Sequence, residues 1–169
     1  MTASPEDLFA YLDDHAIAHR THWHEAVFTV DEGLDLKAAM PGIHTKNLFL
    51  KDKDGGFILI SAEAHAQIAL NQLHRHIGTK RLSFGSPEDM LALLGVTPGS
   101  VTAFALMNDT ARKVRFIADA ALFAADPVNF HPLTNTATTA ISRDDFRRFV
   151  ESTGRDCELF DFASLQQVP

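Results

Sequence analysis

The sequence predicts an α+β fold, a mixed and largely antiparallel β-sheet flanked by helices. Two observations lead to it. Apolar runs joined by tight polar turns supply neighbouring strands, and helix-start signals stand at the ends of the chain and between these runs without strict alternation of strand and helix.

Taken in order, Ser4-Pro5-Glu6-Asp7 offers an N-cap, a proline at the first helical position and an acid at the third. Leu8, Phe9 and Leu12 then share one face of the helix. His19 to Trp23 reads as a weaker strand. Leu48-Phe49-Leu50 and Phe57-Ile58-Leu59-Ile60 flank Lys53-Asp54-Gly55-Gly56, which signals a hairpin. The second run is apolar throughout, as in a strand covered on both faces. A shorter helix is expected around Ile68 to Ile77, stopped by Gly78, with a short strand at Leu82 to Phe84. Ser86-Pro87-Glu88-Asp89 repeats the first helix start, with Met90, Leu91 and Leu94 apolar and Gly95 as the stop. Val101 to Leu106 and Val114 to Ile117 flank Asn108-Asp109 and read as a second hairpin. Ala137 to Ile141 reads as a strand. Ser142 with Asp145 opens a helix whose Phe146, Phe149 and Val150 share a face before Gly154, and Glu158 to Phe162 closes the list of strands.

A chain of 169 residues with 46% apolar and 22% charged residues is expected to form one soluble globular domain, spanning 1–169. The single Cys157 cannot form an internal disulfide and suits a reducing compartment. Met1 to Asp7 has neither a basic nor an apolar leader region, and no apolar run approaches the roughly 20 residues of a membrane span, so a cytoplasmic location is expected. A net charge of −7 argues against broad, phosphate-driven nucleic-acid binding. Any RNA would be held by one end, through a few Lys and Arg residues near one mouth.

Three segments could carry chemistry. In Pro41-Gly42-Ile43-His44-Thr45-Lys46-Asn47, the period of two puts Lys46 on the side of Leu48 and Leu50. A lysine there can be partly desolvated and orient a substrate, or it can snorkel into water. In Gly95-Val-Thr-Pro-Gly99-Ser100-Val101, exposed backbone amides can bind a carbonyl or phosphate, or simply form a turn. In Asn129-Phe130-His131-Pro132, the imidazole can donate a hydrogen bond or exchange protons, or lie idle on a loop. Nine histidines raise a metal site, with His22/His24 and His74/His76 each two apart. No H-E-x-x-H occurs, and a spacing of two does not share a helix face. No G-x-S-x-G, phosphate loop or dinucleotide fingerprint is present. Spacing and composition go no further towards a function.

The string Gly42-Ile-His-Thr-Lys46-Asn47-Leu-Phe-Leu-Lys51-Asp-Lys resembles the YbaK/prolyl-tRNA-synthetase-associated editing family. So do, in the same order, His24-Glu-Ala-Val-Phe28-Thr-Val, Arg81-Leu-Ser-Phe84, Leu94-Gly-Val-Thr-Pro-Gly-Ser-Val-Thr, Asn108-Asp109 and Phe130-His131-Pro132-Leu-Thr-Asn135. The likeness runs from about Ser4 to Phe162 and is strongest to free-standing deacylases that clear alanine from the transfer RNA for proline. It implies the editing-domain fold, an amino-acid pocket, and neither metal nor other cofactor. By similarity, Lys46 is the key active-site lysine and Asn47 positions the terminal nucleotide. Gly99 and Ser100 belong to the substrate-binding loop, His131 lines the pocket, and Lys51 and Arg81 touch the acceptor end of the RNA. The fifth position of that loop is Ala103 where the family has proline, which puts loop rigidity and amino-acid selectivity in question.

The resemblance implies hydrolysis of mischarged alanyl-tRNA for proline, with the aminoacylated tRNA as partner and transient association with prolyl-tRNA synthetase. A pocket built for proline rejects alanine poorly, because lost methylenes cost only about 1–3 kcal/mol each, so a second pocket acts as a size sieve. Val27, Phe28 and Leu34 are expected in its walls. Two other classes stay open: a non-enzymatic nucleic-acid-binding module, and a metal-dependent small-molecule hydrolase using the histidines.

Overall fold

Serine hydroxyls start the three marked helices as expected. In the computed structural model, which describes residues 3–26 and 39–166, α1 (Pro5–Asp14) opens on a reciprocal capping box between Ser4 and Asp7. Helix α2 (Leu70–Ile77) ends on Gly78 in the left-handed region. Ser86 Oγ accepts from the Asp89 amide at 3.1 Å to start α3 (Pro87–Leu94), and Ser142 does the same for Asp145 at 3.0 Å in α4 (Arg143–Ser152). A last turn, α5, covers Ala163–Gln166.

The strands are β1 (Arg20–Trp23), β2 (Ile43–Asp52), β3 (Phe57–Glu63), β4 (Leu82–Phe84), β5 (Val114–Asp119), β6 (Val128–Phe130), β7 (Ala137–Ile141) and β8 (Glu158–Phe160). They lie in the order β1-β7-β6-β2-β3-β5-β8, with β4 beside β2. Four pairings are antiparallel (β1·β7, β6·β7, β2·β3, β2·β4) and three are parallel (β2·β6, β3·β5, β5·β8). The fold is therefore the expected α+β, with a mixed and largely antiparallel sheet.

Strand β2 joins the two halves of this sheet. One edge pairs with β3 from Thr45 to Lys51. The other pairs with β6 at Ile43 and His44, and with β4 only from Leu50 to Asp52. Alternation along β2 sends Phe49 into a core with Phe104, Phe130, Phe146 and Phe149. Leu50 enters a second core with Ile58, Ile60, Leu73, Ile117 and Phe162. Strand β3 lies between them and is buried from Ile58 to Ala62, which is why its apolar run is unbroken.

The second expected hairpin does not form. Ala103–Asn108 is a 3-10 helix, and β5 pairs in parallel with β3 and β8. The apolar run there suits a buried strand and a buried helical turn equally, and side chains decide between them. Thr102 Oγ1 accepts from the Phe104 amide at 3.3 Å, and Asn108 Nδ2 donates to the Leu94 carbonyl at 2.8 Å. The Asp109 carboxylate then takes the amides of Lys113 and Val114 at 3.1 and 2.8 Å and turns the chain into β5. Strand β8 stops at Phe160, short of the expected Phe162. Helix α4 ends at Ser152 with Thr153 as its C-cap, and Gly154 follows in the left-handed region (φ +84°), the stop expected there. No helix among the described residues is long and apolar enough to cross a membrane.

Candidate functional site

Strand register places one set of polar side chains on a single face of the sheet. His44 of β2 lies opposite Asn129 of β6, Asn129 opposite Ala140 of β7, and Ala140 opposite Arg20 of β1. Thr138 lies opposite His22. Paired residues share a face, so Arg20, His22, His44, Asn129 and Thr138 stand on the face that Lys46 shares with Leu48 and Leu50. Over β3 and β5 that face carries the second core, with Leu73 and Ile77 of α2 packed on it. Over β1, β7 and β6 it is polar.

Lys46 sits at the boundary, half-buried, and its Nζ donates to the Ala66 carbonyl. The loop that supplies this carbonyl is anchored on β2 itself, since the Ala64 amide donates to the His44 carbonyl at 2.9 Å. An ammonium has three donors, so one bond fixes its position without exhausting it. On the β6/β4 edge of β2, no described strand pairs with Thr45 to Leu48. Among the described strands, the lysine therefore stands at a notch in the sheet ladder.

His131 follows β6 directly. Its Nδ1 lies 2.9 Å from the Ala137 carbonyl. A carbonyl only accepts, so Nδ1 carries the proton and Nε2 of the neutral ring is bare. Burial pushes the His131 pKa below the ordinary imidazole value; the Ala137 bond opposes this, and the neighbouring His24 and His44 lower it further. His24 Nδ1 donates to the Glu25 carbonyl at 2.6 Å, and its Nε2 lies 2.9 Å from Thr138 Oγ1. His22 stacks on His24 at 6.1 Å between ring centroids. His44 Nε2 donates to the Met40 carbonyl at 2.9 Å. Among the described residues no group of three or more His, Cys, Asp or Glu side chains is arranged to hold a metal ion.

The Gly99 loop comes alongside. Gly99 has φ +93°, and a Cβ there would sit 3.5 Å from Asn135 Nδ2, so this loop rests against the link from His131 to β7. The Ser100 amide donates to the Thr97 carbonyl at 3.0 Å and is spent on the turn. Ala103, where the family has proline, is fully buried in the first residue of the 3-10 helix, and that helix fixes the end of the loop.

Other sequence-predicted residues lie elsewhere. Asn47 is on the opposite face from Lys46, where its Oδ1 accepts from the buried Ser61 and its Nδ2 donates to Thr45 Oγ1 at 3.4 Å. Lys51 is about 17 Å along the strand from Lys46, also on the opposite face. It is exposed, with Nζ 3.8 Å from the Asp89 carboxylate and 5.4 Å from the centre of the Phe57 ring. Arg81 is exposed beside it, its carbonyl accepting from the Lys53 amide at 3.0 Å. Phe28, with Val27 and Leu34, lies outside the described residues. The Cys157 thiol is pushed up by burial to about 11, which suits a packing residue.

Sequence reasoning named Asn129 only as part of the His131 segment and gave a role neither to it nor to Thr138, both buried polar groups on this face. Asn129 Nδ2 donates to the Pro41 and Ile43 carbonyls at 3.2 and 3.1 Å and so holds the start of β2. A cavity of about 530 Å³ lies below, lined by Arg20, Pro41, Asn129, Ala140 and Ser142 among others. A polar residue inside the apolar Val128–Phe130 run was the available signal.

With this geometry in hand, comparison with known proteins gives consistent results. The model of the aminoacyl-tRNA editing domain matches residues 24–149. A Bos taurus protein described as prolyl-tRNA synthetase associated domain-containing protein 1 is 39% identical over 154 residues, covering 87% of this chain and 90% of its own. The prolyl-tRNA editing protein ProX of Acetoanaerobium sticklandii is 31% identical over 148 residues, with 87% and 90% covered. Among solved structures, a proposed trans-editing enzyme for prolyl-tRNA synthetase superposes with a TM-score of 0.74 over 95% of this chain and 97% of its own. Its 16% identity speaks for the fold alone.

Proposed function

The chain belongs to the aminoacyl-tRNA editing domain family, and from that premise we propose that it is an aminoacyl-tRNA deacylase, a single domain over residues 1–169 that clears alanine from the transfer RNA for proline. The family match over residues 24–149 carries this reading. The relatives named for prolyl-tRNA editing and prolyl-tRNA synthetase association support proline's tRNA as substrate. Their names also support association with prolyl-tRNA synthetase, which is proposed to be a transient encounter in the cytoplasm.

The chemistry proposed is ester hydrolysis. Water adds to the aminoacyl carbonyl carbon, the bond to the ribose oxygen breaks, and a free amino acid and an uncharged RNA end result. The ester is already activated, so no protein nucleophile and no metal is required. Lys46, held at the notch by the Ala66 carbonyl, places its positive charge near the developing negative charge. His131 suits the wall of a pocket for a cationic amino acid. Kept neutral by burial, it does not repel the substrate ammonium, and its bare Nε2 accepts a hydrogen bond from it. The Gly99 amide is the donor assigned to the substrate, since Ser100's closes the turn. Asn47 supports β2 from the far face, and Lys51 and Arg81 meet the RNA beyond the pocket. Phe28 is assigned to the pocket wall that admits alanine and excludes proline.

Single-turnover deacylation of alanyl- and prolyl-tRNA for proline, with and without EDTA, tests this. Fast loss of alanine with proline spared and no EDTA effect is expected. Hydrolysis of neither overturns the substrate, and loss only with added metal overturns the metal-free mechanism.

A further inference from the structure

Phe84 is 64% exposed, the most exposed large apolar side chain among the described residues. It ends β4, a three-residue strand held against Leu50 of β2. Isolated surface apolar residues are common. What sets this one apart is its setting in the charge pattern.

The chain carries 22 Asp and Glu residues, yet none falls between Glu63 and Glu88. That segment holds Arg75, Lys80 and Arg81 together with His65, His74 and His76. It begins at the loop whose Ala66 carbonyl binds Lys46 Nζ and runs past Phe84 to Pro87. Arg75, Lys80 and Arg81 are all exposed, and none of them forms an ion pair among the described residues. The Lys53 amide to Arg81 carbonyl bond sets a further exposed cation alongside, and Lys51 lies opposite Ser83 in the ladder. An acidic protein thus keeps one segment of its sequence free of carboxylates, from the loop beside its candidate site past an exposed aromatic ring; the carboxylates nearest to it come from neighbours, Asp52 opposite Leu82 and Asp89 3.8 Å from Lys51.

We infer that Phe84 is a stacking platform for an unpaired base of the RNA, with the acid-free strip from Ala64 to Pro87 tracking the adjoining phosphates. This rests on the deacylase reading and adds to it a residue that reads the RNA end. A phenyl ring stacks on any base face, and nearby cations hold the backbone, which is how single strands are bound. The span fits. From Lys46 to Leu50, Phe84's partner, is about 13 Å of strand. That is about four stacked nucleotides at roughly 3.4 Å each, within reach of an unpaired acceptor end.

The test uses the full chain and acceptor-stem RNA hairpins in which 2-aminopurine replaces each unpaired 3′ nucleotide in turn. Fluorescence quenching, affinity and deacylation kinetics are read for wild type, Phe84→Ala, Phe84→Trp and Arg81→Ala. Loss of stacking in Phe84→Ala is expected to weaken binding roughly 5- to 100-fold and abolish the quench at one position. It should raise KM with kcat and melting temperature unchanged, and Phe84→Trp should restore both binding and quench. Arg81→Ala should lower the salt dependence by about one phosphate contact and keep the quench. Wild-type binding and quenching in Phe84→Ala, beside an active wild type, overturns the stacking role and leaves the deacylase reading standing. Such a result would point to a protein partner for this ring. A wild type that neither binds the hairpins nor deacylates any aminoacyl-tRNA overturns both.

Discussion

His24 and His131 are held by consecutive residues of one strand. His131 bonds through Nδ1 to the carbonyl of Ala137, and His24 through Nε2 to the hydroxyl of Thr138, with the two rings 6.5 Å apart. Burial disfavours a proton on His131, and the neighbouring His24 ring acts on it in the same direction. Folding therefore lowers the His131 pKa below the unfolded value of about 6.5. A depressed folded pKa gives stability that is fully present above the unfolded pKa and is lost as pH falls through the folded one. The melting temperature of wild type should drop between pH 7 and pH 5, and less so in His131→Gln. Thermal melts across that range check this, and parallel slopes for the two proteins would refute it.

Lys46→Ala should lower the deacylation rate by about 100-fold or more, the usual scale for removing a group that stabilises transition-state charge. Folding should suffer little, because the side chain is half-buried and gives up one hydrogen bond worth about 1 kcal/mol. Lys46→Arg keeps the charge on a planar fork of different reach and should recover only part of the rate. Single-turnover assays beside thermal melts separate the two effects. An active Lys46→Ala removes this residue from the mechanism.

Much of the fold was legible because local rules act alone there. Ser4, Ser86 and Ser142 cap helices by bonds that span three residues, and Gly55 and Gly56 turn the chain between two adjacent strands. What was not legible depends on distant partners. The 3-10 helix at Ala103 follows from Asn108 reaching Leu94 and from Arg155 reaching Asp109 across 46 positions. Strand β6 is three residues long and exists through its pairing with β2 and β7. In the site, Lys46 stood out by its place on an apolar strand. The separation of Asn47, Lys51 and Arg81 from it follows from the pleat and the strand length, which family likeness does not express.

Gly42 provides a backbone test of how β2 is seated. Its φ is +103°, and a Cβ at that position would lie 2.2 Å from the Pro127 carbonyl oxygen, the atom that accepts from the Ile43 amide at 2.9 Å. Gly42→Ala must shift backbone where β2 and β6 meet, just below Lys46. A loss above roughly 2 kcal/mol is expected, on the order of 5–10 °C in melting temperature. Gly55→Ala is the control: φ is +94° there but the space is open, so only the conformational strain of about 1 kcal/mol remains. Equal losses in the two variants would show that contact with Pro127 is unimportant.

Arg155 and Asp109 form an ion pair with side chains 7% and 2% exposed. The carboxylate also takes the amides of Lys113 and Val114, and the guanidinium reaches the Val114 carbonyl at 2.9 Å. The pair thus ties the exit of the 3-10 helix to the segment before β8, behind the Gly99 loop. Removing one partner leaves a buried charge without compensation, which costs about 3–5 kcal/mol. Asp109→Ala also strands two amides and should be the more damaging single change, with Arg155→Met milder because the apolar stem is kept. In the double variant the losses should fall short of additivity by more than about 1 kcal/mol, since neither charge is then left alone. Urea unfolding of the four proteins closes this cycle. Strict additivity would mean that the two side chains act independently and that the Asp109 turn stands on its amide bonds alone.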